Sequence, residues 1–236
     1  MDNIHLALNW STYYVLMLAV LVFTVWAQWS VSSTYRRFQN VRNARGMTGE
    51  QAARRILDAN GLQQVRIERI AGQLTDHFDP KANVIRLSQA VYDTPSIAAV
   101  GVAAHEAGHA VQYATGYAPI RLRNAIVPVT QFASRFSLLI FFIGFLFSPS
   151  IATVGFVLYL VVAFFQFVTL PVEFNASHRA LQTIESSGIL AGEELSGARK
   201  VLTAAAMTYV AAMAGALLQL LRMFLLLRGG NRNGRD

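Results

Sequence analysis

The sequence predicts a mainly α-helical integral membrane protein with about four transmembrane helices and a small α+β cytoplasmic part. Three observations predict it. Hydrophobic residues make up 54% of the 236-residue chain and charged ones 14%, with a mean hydropathy of +0.38, too apolar for an ordinary water-soluble domain. Trp10 to Trp29 is an uncharged apolar run long enough to cross the hydrocarbon layer, with aromatic residues at both ends. Between Thr94 and Gly116 lies a second apolar helix, interrupted chiefly by His105, Glu106 and His109.

The formal charge of +7 is concentrated where a membrane protein would carry it. Arg36, Arg37, Arg42, Arg45, Arg54 and Arg55 follow directly on the first apolar run, the pattern of a cytoplasmic juxtamembrane segment. They lack Gly-rich phosphate loops and interleaved aromatics, so the expected partner is the lipid bilayer and not nucleic acid. With no cysteine, disulfides and thiolate metal sites are excluded, and a transition-metal site must use histidine, carboxylate and water. No internal repeat breaks up the chain, which reads as one domain, 1–236.

Trp10 to Trp29 reads as a retained anchor with its N-terminus outside, because no basic residue precedes the apolar run and no small-residue cleavage pattern closes it. Residues 46–116 form the cytoplasmic part. There Thr48 and Gln51 make a capping-box pattern, and Gly61 ends the helix they open. Val65 and Ile67 alternate with polar neighbours as in a strand; Val84, Ile85 and Leu87 offer a second after the turn signals Asp79-Pro80 and Asn83, which suggests a hairpin. Thr94 is the expected N-cap of the next helix, with Pro95 at its first position and Gly116 at its far end. Residues 132–147 and 151–172 form a transmembrane hairpin around Ser148-Pro149-Ser150, 173–200 is polar and helical, and 204–227 is a last span that either crosses or re-enters. A full crossing would place Arg228, Arg232 and Arg235 outside, against the positive-inside tendency.

His105-Glu106-Ala107-Gly108-His109 is an H-E-x-x-H sequence. On a helix its histidines, four residues apart, share one face and reach one cation, making this a zincin-type active-site helix. Neutral imidazole suits Zn2+, one per chain, and Glu106 stands beside the metal, where it can take a proton from activated water as the catalytic base. The alternative is a buried polar cluster, but three ionisable groups on an apolar helix then lack compensation.

A catalytic zinc site has three protein ligands and one open position. Two crossings between His109 and Glu173 return the chain to the same side of the membrane, so Glu173 is the expected third ligand. Asp76, His77, Asp79, Glu185, Glu193 and Glu194 remain alternatives, each also readable as a cap or a solvated polar residue. Ser177, one helical turn past Glu173, could hydrogen-bond a ligand, and His178 and His77 are candidate oxyanion stabilisers.

Through Leu74 to Pro80, His105 to Gln112 and Leu170 to Ser177, the chain resembles the YugP-like family of membrane zinc metallopeptidases over nearly its whole length. The Glu173-Phe174-Asn175-Ala176-Ser177 segment is also similar to the third-ligand helix of the HtpX and CAAX-protease group, which implies a gluzincin-like site with Glu173 as ligand. That group carries an aspartate where Ser177 stands. The expectation is therefore a membrane-bound zinc endopeptidase in the plasma (inner) membrane, acting near the cytoplasmic surface on polypeptides, membrane proteins among them. A non-catalytic scaffold or adaptor with a structural zinc site is the alternative. A transporter would need ionisable groups near mid-membrane in several spans, where only Arg135 and Arg222 come close.

Overall fold

The computed structural model describes residues 10–230, and its long helices follow the apolar runs. In chain order they are α1 (Trp10–Gln39), α2 (Gly49–Ala59), β1 (Arg66–Ile70), β2 (His77–Asp79), β3 (Val84–Ser88), α3 (Gln89–Tyr92), α4 (Ile97–Ala114), α5 (Ala118–Phe147), α6 (Pro149–Ser186) and α7 (Gly192–Gly230). Four of these, α1, α5, α6 and α7, are long and apolar enough to cross a membrane, giving the mainly helical membrane architecture the sequence predicts. Arg232 and Arg235 lie outside the described residues.

Contacts divide the chain into two units. Among the described residues the first comprises 10–26, 122–169 and 209–230, which hold most of the apolar length of the four long helices. Within it α5 and α6 pack backbone to backbone: a Cβ on Gly144 would collide with Ile151 and Ala152, and one on Gly155 with Phe141. Small residues permit such an approach, the usual packing mode where lipid supplies no hydrophobic drive between helices. Phe141, Ala152 and Met223 form the buried centre of this unit, and the Arg222 guanidinium lies 5.7 Å from the centre of the Phe142 ring.

The second unit comprises 27–121 and 170–208. Its centre is α4, enclosed by α2, by the sheet and by the adjoining stretches of α6 and α7. Ala and Gly supply much of α4, so neighbours come close: Gly101 faces Ala198, and Gly108 faces the Ala176 carbonyl. The α2 capping box is present as expected, with the Thr48 hydroxyl accepting from Gln51 N and the Gln51 side chain accepting from Thr48 N. Gly61 and Gly116, placed at helix ends by the sequence, adopt φ of 71° and 64°, which only glycine does without strain.

Three local expectations are corrected. The two anticipated strands do not form a hairpin; β1 and β3 are parallel neighbours, and the hairpin partner of β3 is the three-residue β2, giving the order β1-β3-β2. Leu74 and Gly72, both at positive φ, carry the chain from β1 to the opposite side of β3. The N-cap of α4 is Ser96, whose hydroxyl accepts from Ala99 N at 3.1 Å, and not Thr94. Asn43 N donates to Pro95 O and Ile97 N to Val41 O, each at 3.0 Å, and this pairing holds Pro95 and Ser96 extended. Finally, α5 begins at Ala118, well before the expected span, with Pro119 in its first turn, where a missing N–H costs nothing.

Candidate metal centre

The site is assembled inside the second unit from α4 and α6, two helices that approach closely because position 108 is glycine. A Cβ there would lie 2.6 Å from Ala176 O. On α4, His105 and His109 stand one turn apart with ring centres 4.6 Å from each other. From α6, Glu173 projects between them, with its Oε2 3.2 Å from His105 Nε2 and 3.5 Å from His109 Nε2.

These three are a group whose donor atoms all lie within 4.8 Å of one another. The spacing suits zinc: with bonds of about 2.0–2.1 Å in a tetrahedron, neighbouring donors sit about 3.3 Å apart. Two imidazoles and a carboxylate are a zinc donor set, and Glu173, with 2% of its surface exposed, would otherwise be a buried charge facing two bases. The residues present fit one metal ion.

Each imidazole is held through its other nitrogen. His105 Nδ1 is 3.1 Å from Ser177 Oγ, and His109 Nδ1 is 3.0 Å from Gln112 Oε1. Both leave Nε2 towards Glu173, the arrangement that orients a ligand histidine. Burial alone would push the His109 imidazolium down, but the Glu173 hydrogen bond and the charges of Glu106 and Glu173 outweigh it, and its pKa is raised.

Glu106, buried on α4, accepts a hydrogen bond from Phe78 N at 2.9 Å through Oε2. The donor belongs to β2, an outer strand of the sheet, so the three-residue strand missed in the sequence is what fixes this glutamate. A backbone donor leaves no residue-type signal. Gln112 was also missed, although an uncharged amide three residues past a ligand histidine, inside an apolar helix, is a readable sign.

The other carboxylates serve the fold. Asp76 accepts from Ser88 N at 2.7 Å and from Ser88 Oγ. Burial pushes the Asp76 carboxyl up, against the lowering effect of those Ser88 bonds. Asp79 caps the turn through Lys81 N and Ala82 N and pairs with Arg86 at 2.8 Å. Glu194 accepts from Ala44 N, while Glu185 and Glu193 are exposed. Neither oxyanion candidate joins the cluster: His178 is exposed on α6, and His77 is exposed with Nδ1 bonded to Thr75 O at 2.8 Å.

Fold and site thus define a helical membrane protein with a His-His-Glu cluster, built on an H-E-x-x-H helix, that could hold one metal ion. Over residues 13–228 the chain matches the family described as "Putative neutral zinc metallopeptidase", and it belongs to that family. It is 46% identical over 222 residues to the "Putative membrane protease YugP" of Bacillus subtilis (strain 168), an alignment covering 94% of this chain and 97% of that protein. No solved structure shows significant similarity to it.

Proposed function

We propose that the protein is a membrane-bound zinc-dependent endopeptidase, with His105, His109 and Glu173 as metal ligands and Glu106 as general base and then general acid. The observation that carries this reading is the convergence of two Nε2 atoms and one carboxylate oxygen beside a buried glutamate that is not part of the cluster. Among the described residues the cluster has three donors, as in a catalytic site, whereas structural zinc sites are closed by four. This favours hydrolysis over the scaffold alternative.

Zinc in such a site supplies Lewis acidity, lowering the pKa of water to about 7 and polarising a carbonyl. The chain's own groups do the rest. Phe78 N–H holds one oxygen of Glu106, leaving the other to accept a proton from water and pass it to the departing amine. Ser177 and Gln112 keep the imidazoles aligned.

The substrate class is polypeptide, including membrane proteins. Glu173 lies on a helix long and apolar enough to cross a membrane, which supports a site that acts near the bilayer. The arginines at the end of α1, Arg36 and Arg37, support an orientation with the site facing the cytoplasm in the plasma (inner) membrane. The family match spans both contact units, which supports treating 1–236 as one functional domain.

Glu106→Gln tests the assignment. The variant should keep its zinc and lose about 10²–10⁴-fold in cleavage of labelled casein by detergent-purified protein. Undiminished cleavage would remove Glu106 from the chemistry.

A further inference from the structure

Gln112 is wholly buried one turn beyond His109, and both ends of its amide are used. Its Nε2 donates to Val172 O at 2.8 Å and to Asn175 Oδ1 at 2.9 Å, while its Oε1 lies 3.0 Å from His109 Nδ1. Asn175 Oδ1 also accepts from Arg179 Nε at 2.8 Å.

The direction of every bond in this chain follows from groups that have only one role. A guanidinium only donates, so Asn175 must present its oxygen to Arg179. A backbone carbonyl only accepts, so Gln112 must present its nitrogen to Val172 and Asn175. Its oxygen is then left facing His109, and an amide oxygen only accepts. His109 Nδ1 therefore carries a proton, and in the neutral imidazole that a metal requires, Nε2 is the nitrogen left with a lone pair, on the side of Glu173. Ser177 imposes no such direction on His105, because a hydroxyl both donates and accepts.

We propose that Gln112 is a positioning residue of the metal centre: its oxygen fixes His109 in the Nδ1–H tautomer that ligates through Nε2. The same amide bonds α6 at Val172 and Asn175, on either side of Glu173, and these bonds hold the two helices together whether or not metal is bound. Arg179, which touches no ligand, backs the arrangement by orienting Asn175. This inference rests on the metal-centre reading above.

The test compares the zinc dissociation constant of full-length, detergent-purified wild type with those of Gln112→Met and Gln112→Glu, by competition with a chromophoric chelator. Met keeps the side chain's length and removes the acceptor; zinc binding should weaken by about 10–100-fold. Glu keeps an acceptor for His109 but cannot donate to Val172 or Asn175. It should hold zinc close to the wild-type value while the metal-free protein melts at a lower temperature.

That crossed pattern distinguishes positioning from packing, since a merely structural Gln112 would lower zinc affinity and metal-free melting together in both variants. Wild-type affinity in Gln112→Met, or equal weakening in both variants, overturns the inference while leaving the metal centre standing. A wild type that binds no zinc takes both down.

Discussion

Helices α1 and α4 are both apolar, yet they live in different solvents. Only 6% of the apolar window of α1 is buried in protein, whereas 14 of the 18 residues of α4 are. Residue size records the difference. The bare helix is built from Leu, Val, Phe, Tyr and Trp, which fill lipid equally well in any rotamer; the enclosed one is built from Ala and Gly, which let neighbouring backbones approach. Ionisable groups divide the same way. The apolar window of α1 is uncharged, while α4 carries His105, Glu106 and His109 because α6 and β2 supply partners for them. An apolar helix with polar residues and small neighbours is thus a site, and one with large side chains throughout is an anchor.

The sharpest way to break this contrast is a charge on the bare helix. Leu18→Asp should cost about 2.5–3.5 kcal/mol of insertion and reduce the fraction of α1 that crosses, measured with a glycosylation tag. Unimpaired insertion would mean that this face of α1 meets water. Adding a single methyl group to the enclosed helix comes next. Gly108→Ala forces a Cβ against Ala176 O and should destabilise by about 1–3 kcal/mol, lowering the melting temperature and the zinc affinity, whereas Leu18→Ala should leave zinc binding unchanged.

Smaller effects probe the water-facing part. Thr48→Ala removes the α2 capping box and should cost about 1 kcal/mol by thermal melting, with zinc stoichiometry unaltered. The smallest is a pH effect at the β2–β3 turn. The Arg86 hydrogen bond, helped by the amides of Ala82 and Lys81, holds the half-buried Asp79 carboxyl below its ordinary value of 3.8. Its stabilisation is therefore present above that pH and lost as pH falls through the lower folded value. Hydrogen exchange of the hairpin amides should quicken on acidification below it in wild type, and Asp79→Asn should lack that pH dependence.

Much of this was legible because it depends on residue type and local spacing. The long apolar runs announced the four spanning helices; Thr48 with Gln51 announced α2; and the histidines four apart announced the α4 face. Glu173 was reachable as a candidate by counting crossings. What was hidden depends on distant pairing. The start of α4 is set by Val41 and Asn43, far away in sequence, which moved the cap from Thr94 to Ser96. The strand β2 has three residues, His77, Phe78 and Asp79, and no period to detect. Arg121 and Arg123, with Pro119 and Pro128 between apolar residues, disguised the first half of α5. Gln112 showed its polarity in the sequence, but its partners only in three dimensions.

In the proposed site, His105, His109 and Glu173 together hold zinc. Zinc content of the detergent-purified full-length protein, measured beside that of Glu173→Ala, tests it without a substrate. About one zinc per chain is expected in the wild type and a marked loss in the variant, since the buried carboxylate would supply one of three ligands. Equal zinc in both proteins would contradict Glu173 as a ligand, and a wild type that takes up none would contradict the metal centre itself.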